Sequence, residues 1–213
     1  MNKLTKTQCY IDALREWASY CFKEPQGVLK GSLLFLLCSI PIVTYGPARL
    51  AAVYYMGRRS AGFRAAWKEA AAFGFGAGGA VGFKGWIMGF SDFLALLLAA
   101  GSGYAILEMA LPLPLRFIYC AVLLLDLIYL FSGIYRYPAL AAEPDKKISM
   151  LILRGFLLSA ESPLQSFLFF CVQLLWLMLC ALTGVGLPLL YPAGAALLSH
   201  CAYSHMIKRL LPA

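Results

Sequence analysis

Residues 86–135 carry only four charged side chains in fifty positions: Asp92, Glu108, Arg116 and Asp126. The rest of a 213-residue chain cannot cover so apolar a stretch in water. As helix, about 20 apolar residues cross the ~30 Å hydrocarbon core of a bilayer. The stretch therefore suits two membrane helices joined near Pro112. Composition extends the argument, since 62% of the chain is hydrophobic and 13% charged. The length fits one helical bundle and no second domain.

Six apolar segments stand out, at residues 28–45, 48–56, 86–109, 113–135, 164–182 and 187–203. All but the second are long enough to cross; the second covers about half the bilayer at 1.5 Å per residue. The expected fold is all-α: a polytopic membrane helical bundle of five long transmembrane helices, with a short re-entrant or hairpin arm after the first. One membrane domain is expected over residues 1–213. It comprises an amphipathic N-terminal helix (1–27), a broken helical hairpin (28–57), a cytoplasmic loop (58–85), a helical hairpin (86–135), a cytoplasmic amphipathic segment (136–163) and a last hairpin (164–207). In the first helix Ile11, Leu14, Trp17, Cys21 and Phe22 recur at helical spacing, opposite Asp12, Arg15, Glu16 and Lys23. Such a helix lies on the membrane or packs on the bundle.

Basic residues set the orientation. They gather before the first segment, between Arg58 and Lys84, between Arg136 and Arg154, and at Lys208 and Arg209. The turns near Pro112 and Gly184 hold almost none. By the positive-inside rule the basic regions are cytoplasmic, so both termini are expected there in a multi-pass protein of the plasma membrane. The net charge of +8 is met by anionic lipid facing those regions, and nucleic acid is not needed to explain it. No secretory signal is expected, because the first apolar run starts only near Val28.

The chain must then enter and return between Val28 and Met56. Pro41, Thr44, Gly46 and Pro47 mark the bend, which is expected at Thr44–Pro47. Proline removes an amide donor and constrains the residue before it, and Gly46 is expected to supply unusual backbone angles. Broken backbone at membrane depth survives inside protein or beside a wet cavity, so the arm should pack within the bundle.

Pro41-Ile42-Val43-Thr44-Tyr45-Gly46-Pro47, then Tyr54-Tyr55 and Arg58-Arg59, resemble the opening of the YesL-like family of bacterial membrane proteins. Tyr135 to Ala142, "YRYPALAA", is similar to that family's aromatic-Pro-Leu motif. Arg49 departs from the pattern, and the Ala/Gly-rich stretch 61–82 aligns poorly. The resemblance implies an accessory protein of carbohydrate uptake, partnered with subunits of an ABC-type sugar transporter.

No catalytic motif is evident, and neither enzyme activity nor a cofactor is expected. Gly74-Phe75-Gly76-Ala77-Gly78-Gly79 fits a dinucleotide pattern but lacks the strand that pattern needs. Gly74, Gly78 and Gly82, like Gly85 and Gly89, recur every four residues, a spacing that lets helices approach closely. The seven cysteines form no C-x-x-C pair. His200, Cys201 and His205 cluster, but the expected reading is boundary polar residues rather than a metal site. Intramembrane charges are costly and mark function by default, which singles out Asp126, Arg49 and Asp92. Asp126 is expected to face into the bundle and meet a donor, Arg49 being the foremost candidate. Two functions follow: a non-catalytic accessory protein, or a small transporter or channel using Asp126 and Arg49. A transporter should show a polar cavity reaching both charges, and a scaffold a dry, closed bundle.

Overall fold

The computed structural model describes residues 6–39, 44–58, 63–75, 80–109, 111–183 and 190–210. Among them every regular element is α-helical: α1 (Lys6–Lys23), α2 (Pro25–Ser39), α3 (Tyr45–Gly57), α4 (Phe63–Phe75), α5 (Ala80–Glu108), α6 (Leu113–Ala142), α7 (Ile148–Glu161), α8 (Pro163–Leu182) and α9 (Tyr191–Leu210).

α3 and α9 form the centre. Leu50, Ala51, Ala52 and Met56 of α3 and Leu197, Cys201 and Ala202 of α9 are fully buried. The short return arm is therefore inside the bundle, as its broken backbone requires. α5, α6 and α8 lie outside and expose apolar side chains, including Leu97 and Leu98, Phe117 and Leu125, and Leu175 and Leu179. Each of the three is long and apolar enough to cross a membrane. Lipid makes that surface stable where water would penalise it.

Three such helices are fewer than the five expected. α2 has 15 residues, or roughly 22 Å of rise, too little to cross. α9 has 20 residues, but His200, His205, Lys208 and Arg209 dilute its apolar character. α9 contacts mainly protein, so its composition answers to neighbouring helices rather than to lipid, whereas α2 is simply short and exposes Leu29, Leu33 and Leu37.

Other boundaries also move. The expected loop at 58–85 contains α4 and the start of α5. The segment expected to leave the membrane at Arg136 is still α6, which continues through Pro138 to Ala142. Ser132 through Leu140 are buried there, and that packing offsets the hydrogen bond lost at proline.

α1 packs on the bundle. Tyr10 meets Phe169 at 4.8 Å and Trp17 meets Trp176 at 5.4 Å between ring centroids. Both partners advance by seven residues, so α1 runs alongside α8 in the same direction. The Trp17 indole also donates to the Gly194 carbonyl at 2.9 Å.

Of the residues expected at the bend, Thr44 is the N-cap of α3. Tyr45, Gly46 and Pro47 already form the first turn of α3, where a missing proline amide costs little. Thr44 Oγ1 donates to the Cys38 carbonyl at 2.6 Å, tying the arms together. Pro41 lies outside the described residues, as do Gly76, Gly78, Gly79 and Gly184. Gly46 serves a different purpose from the one expected. A Cβ there would overlap the Gly85 carbonyl oxygen and come within 2.9 Å of Gly89 Cα. A Cβ on Gly89 would lie 2.5 Å from Gly46 Cα. α3 and α5 thus cross backbone to backbone, the close approach that the small-residue spacing anticipates.

Candidate functional site

That crossing brings α3, α5 and α6 together around one carboxylate. Asp92, on α5, accepts from Arg136 Nη2 at 2.8 Å on Oδ1 and from the Tyr137 hydroxyl at 2.9 Å on Oδ2. Arg49 Nη1, on α3, reaches Oδ2 at 3.4 Å. Asp92 is thus the hub of the buried polar network, rather than a boundary residue near one end of its helix.

The two arginines differ. Arg136 is fully buried, its guanidinium 3.8 Å from the Tyr129 ring centroid, and it also donates to the Tyr129 carbonyl. The Nε and Nη1 of Arg136 find no acceptor among the described residues. Arg49 retains 23% side-chain exposure and lies over the Tyr137 ring at 4.5 Å. Both of its hydrogen bonds, to Asp92 and to the Tyr45 hydroxyl, come from Nη1 and are 3.4 Å long. Two cations share one carboxylate, so the cluster holds one positive charge in excess. Charge inside a low-dielectric bundle is tolerated only when paired, and Asp92 is most closely held by Arg136 and Tyr137. The charge left over is that of Arg49.

Arg49 faces a cavity of about 690 Å³. Its polar lining is Ser39, Tyr45, Arg49 and Asp92, all from the helix ends and the cluster. The remainder is Phe35, Trp86, Phe90, Phe93, Leu96 and Leu130, with Gly46 and Gly89 at the helix crossing. Trp86, Phe90 and Phe93 are also surface-exposed on α5, so the cavity opens sideways through the lipid-facing side of the bundle. Its volume is in the range of small-molecule sites.

Of the three intramembrane charges singled out by sequence, the structure joins two. Arg49 pairs with Asp92, not with Asp126. Asp126 instead lines a separate hollow of about 400 Å³ with Ser91, Tyr129 and Phe156. Its Oδ2 is buried without a hydrogen-bond partner among the described residues, so the donor expected for Asp126 is not found there. Arg136 and Tyr137 fall outside the membrane in the sequence reading, because Arg136 counts with the basic residues that follow the fourth apolar segment. The signal that could have found them is the apolar run on both sides of Arg136, which leaves its charge no solvent.

The histidines have separate tasks. His205 pairs with Glu16 at 2.9 Å, joining α9 to α1. His200 packs against Gly57, where a Cβ would lie 2.9 Å from its ring. No group of potential ligands able to hold a metal is found among the described residues. Comparison with family models, with curated proteins and with solved structures finds no match to this chain.

Proposed function

We propose that this chain is a non-catalytic integral membrane protein that holds an amphiphilic molecule in the cavity between α2, α3 and α5. One observation carries the reading: an apolar cavity, open sideways, whose inner end is a buried ion-pair cluster with an unspent cation. A sugar is a poor occupant, because its hydroxyls would lie unpaired against Phe35, Phe90 and Phe93. A conduit joining Arg49 to Asp126 is also disfavoured, since the two line different hollows.

The accessory role beside an ABC-type sugar-uptake system, implied by the YesL-like motifs, is the cellular setting proposed for this binding. The proposed site of residence is the plasma membrane with both termini cytoplasmic. In that arrangement α9 is a further membrane segment, largely buried among its neighbours, and α2 enters the membrane without crossing it.

A photoreactive hexadecanol tests the binding reading. Purified protein in nonionic detergent should be labelled saturably at Phe35 and Leu130, and excess hexadecanol should compete. Exposed Leu97 and Leu98 should label without saturation. Ser39→Trp, which fills the inner end, should cut the saturable component severalfold. Absence of saturable labelling at Phe35 and Leu130 would reject the cavity as a binding site.

A further inference from the structure

The chemistry of the occupant's head follows from the hydrogen bonds Arg49 leaves unused. Resting on the amphiphile reading, we infer that the cavity selects a single-chain amphiphile with a carboxylate head, bound by the Arg49 guanidinium.

The argument begins with charge. Asp92 is neutralised by Arg136 at 2.8 Å and further bonded by Tyr137 at 2.9 Å. The Arg49 contact is the longest of the three, at 3.4 Å. An anion entering the cavity therefore balances Arg49 without displacing the shorter bonds on Asp92. One unbalanced cation calls for one negative charge on the head.

Geometry selects the kind of anion. Nε and Nη2 of Arg49 have no acceptor among the described residues, and the guanidinium lines the cavity. Two N–H groups on one edge of a planar fork match the two oxygens of a carboxylate. The Tyr45 hydroxyl, which accepts from Arg49 Nη1, still has its own proton to donate to the same head.

The walls select the rest of the molecule. Beyond Arg49, Tyr45 and Asp92, the lining offers the Trp86 indole and the Ser39 hydroxyl, which already donates to the Leu36 carbonyl, and otherwise aromatic and aliphatic surface. A diacyl phospholipid would bring two ester groups and a glycerol into that zone, mostly unsatisfied. A single saturated chain brings none.

The test compares photoreactive hexadecanoic acid with photoreactive hexadecanol, on the full chain in phosphatidylcholine nanodiscs at alkaline pH. The acid should reach half-saturation at Phe35 and Leu130 at a concentration at least about tenfold lower than the alcohol, the scale of one charge-assisted pair. Arg49→Gln should remove that preference, so that acid and alcohol reach half-saturation at similar concentrations on the same variant. Arg49→Lys should restore part of it, keeping the charge without the fork. Equal half-saturation of acid and alcohol in the unaltered protein would overturn the carboxylate inference while leaving the amphiphile reading in place. Displacement of the acid by an equal concentration of phosphatidylglycerol would overturn it in favour of a phospholipid. Saturable labelling by neither probe would remove the amphiphile reading itself. The acid-to-alcohol comparison needs no variant, so it stands even if Arg49→Gln fails to fold.

Discussion

Asp92 and Arg136 show what one residue can demand of its surroundings. Arg136 has no exposed surface and cannot shed its proton. Its carboxylate partner is therefore a condition for folding rather than an added contact. Asp92→Asn would leave both the buried Arg136 and the partly exposed Arg49 without a counter-charge. Breaking one side of a buried pair costs about 3–5 kcal/mol, whereas replacing both sides with apolar groups is often near neutral. Asp92→Asn should therefore lower the unfolding midpoint in nonionic detergent sharply. Asp92→Asn combined with Arg136→Met should recover a substantial part of the loss. An unfolding midpoint for Asp92→Asn equal to that of the unaltered protein would refute the structural role assigned to the pair.

At the scale of helices, the crossing of α3 over α5 is the contact on which the cavity depends. Gly46→Leu must push apart two backbones that meet at Gly85 and Gly89. Gly101, further along α5, has open space where its Cβ would be. Gly46→Leu should abolish most folded yield, measured by size-exclusion chromatography in detergent, while Gly101→Leu should leave it largely intact. Equal yields would count against the crossing. This contact was half legible in the sequence. The four-residue spacing of Gly85 and Gly89 announced a close approach, but nothing local named Gly46 as the partner, because pairing between distant helices leaves no periodic trace. The turn of the α5–α6 hairpin was read almost to the residue, since lipid imposes the composition of its flanks directly, but the far ends of both helices lie outside the expected bounds, at Ala80 and Ala142. α9 departs from expectation for the converse reason: protein surrounds it, and protein tolerates polar positions that lipid excludes; α2 departs because its helix is only 15 residues long. Arg136 and Tyr137 were missed because a basic residue at the end of an apolar run reads as a cytoplasmic flank, and only tertiary burial shows α6 continuing past Pro138. Asp126 drew attention by its apolar neighbours, yet its separation from Arg49 depends on how the helices cross.

Across the whole molecule, the positions of the ends constrain orientation. Arg209, near the end of α9, bonds Glu161 and Ser162 at the α7–α8 junction. Lys84, near the start of α5, donates to the carbonyls of Pro144 and Lys146 between α6 and α7. Arg154 on α7 pairs with Glu143 in the same loop. These contacts gather basic residues around the chain reversals that follow α6 and α7. The α5–α6 turn lies at the far end of helices 29 and 30 residues long, or roughly 45 Å away, with Arg116 as its nearest basic side chain. A bilayer reads such asymmetry by keeping the basic end in the cytoplasm. Alkaline phosphatase, active only outside, should therefore be inactive when fused after Ala213 and active when inserted at the α5–α6 turn. A fluorescent protein that matures only in the cytoplasm should behave in the opposite way at the same two places. Cys120, exposed on α6 and flanked by Phe117 and Leu124, should react with a membrane-permeant maleimide far faster than with a charged one. Phosphatase activity after Ala213 would reverse the orientation, and rapid labelling of Cys120 by the charged reagent would take that face of α6 out of the lipid.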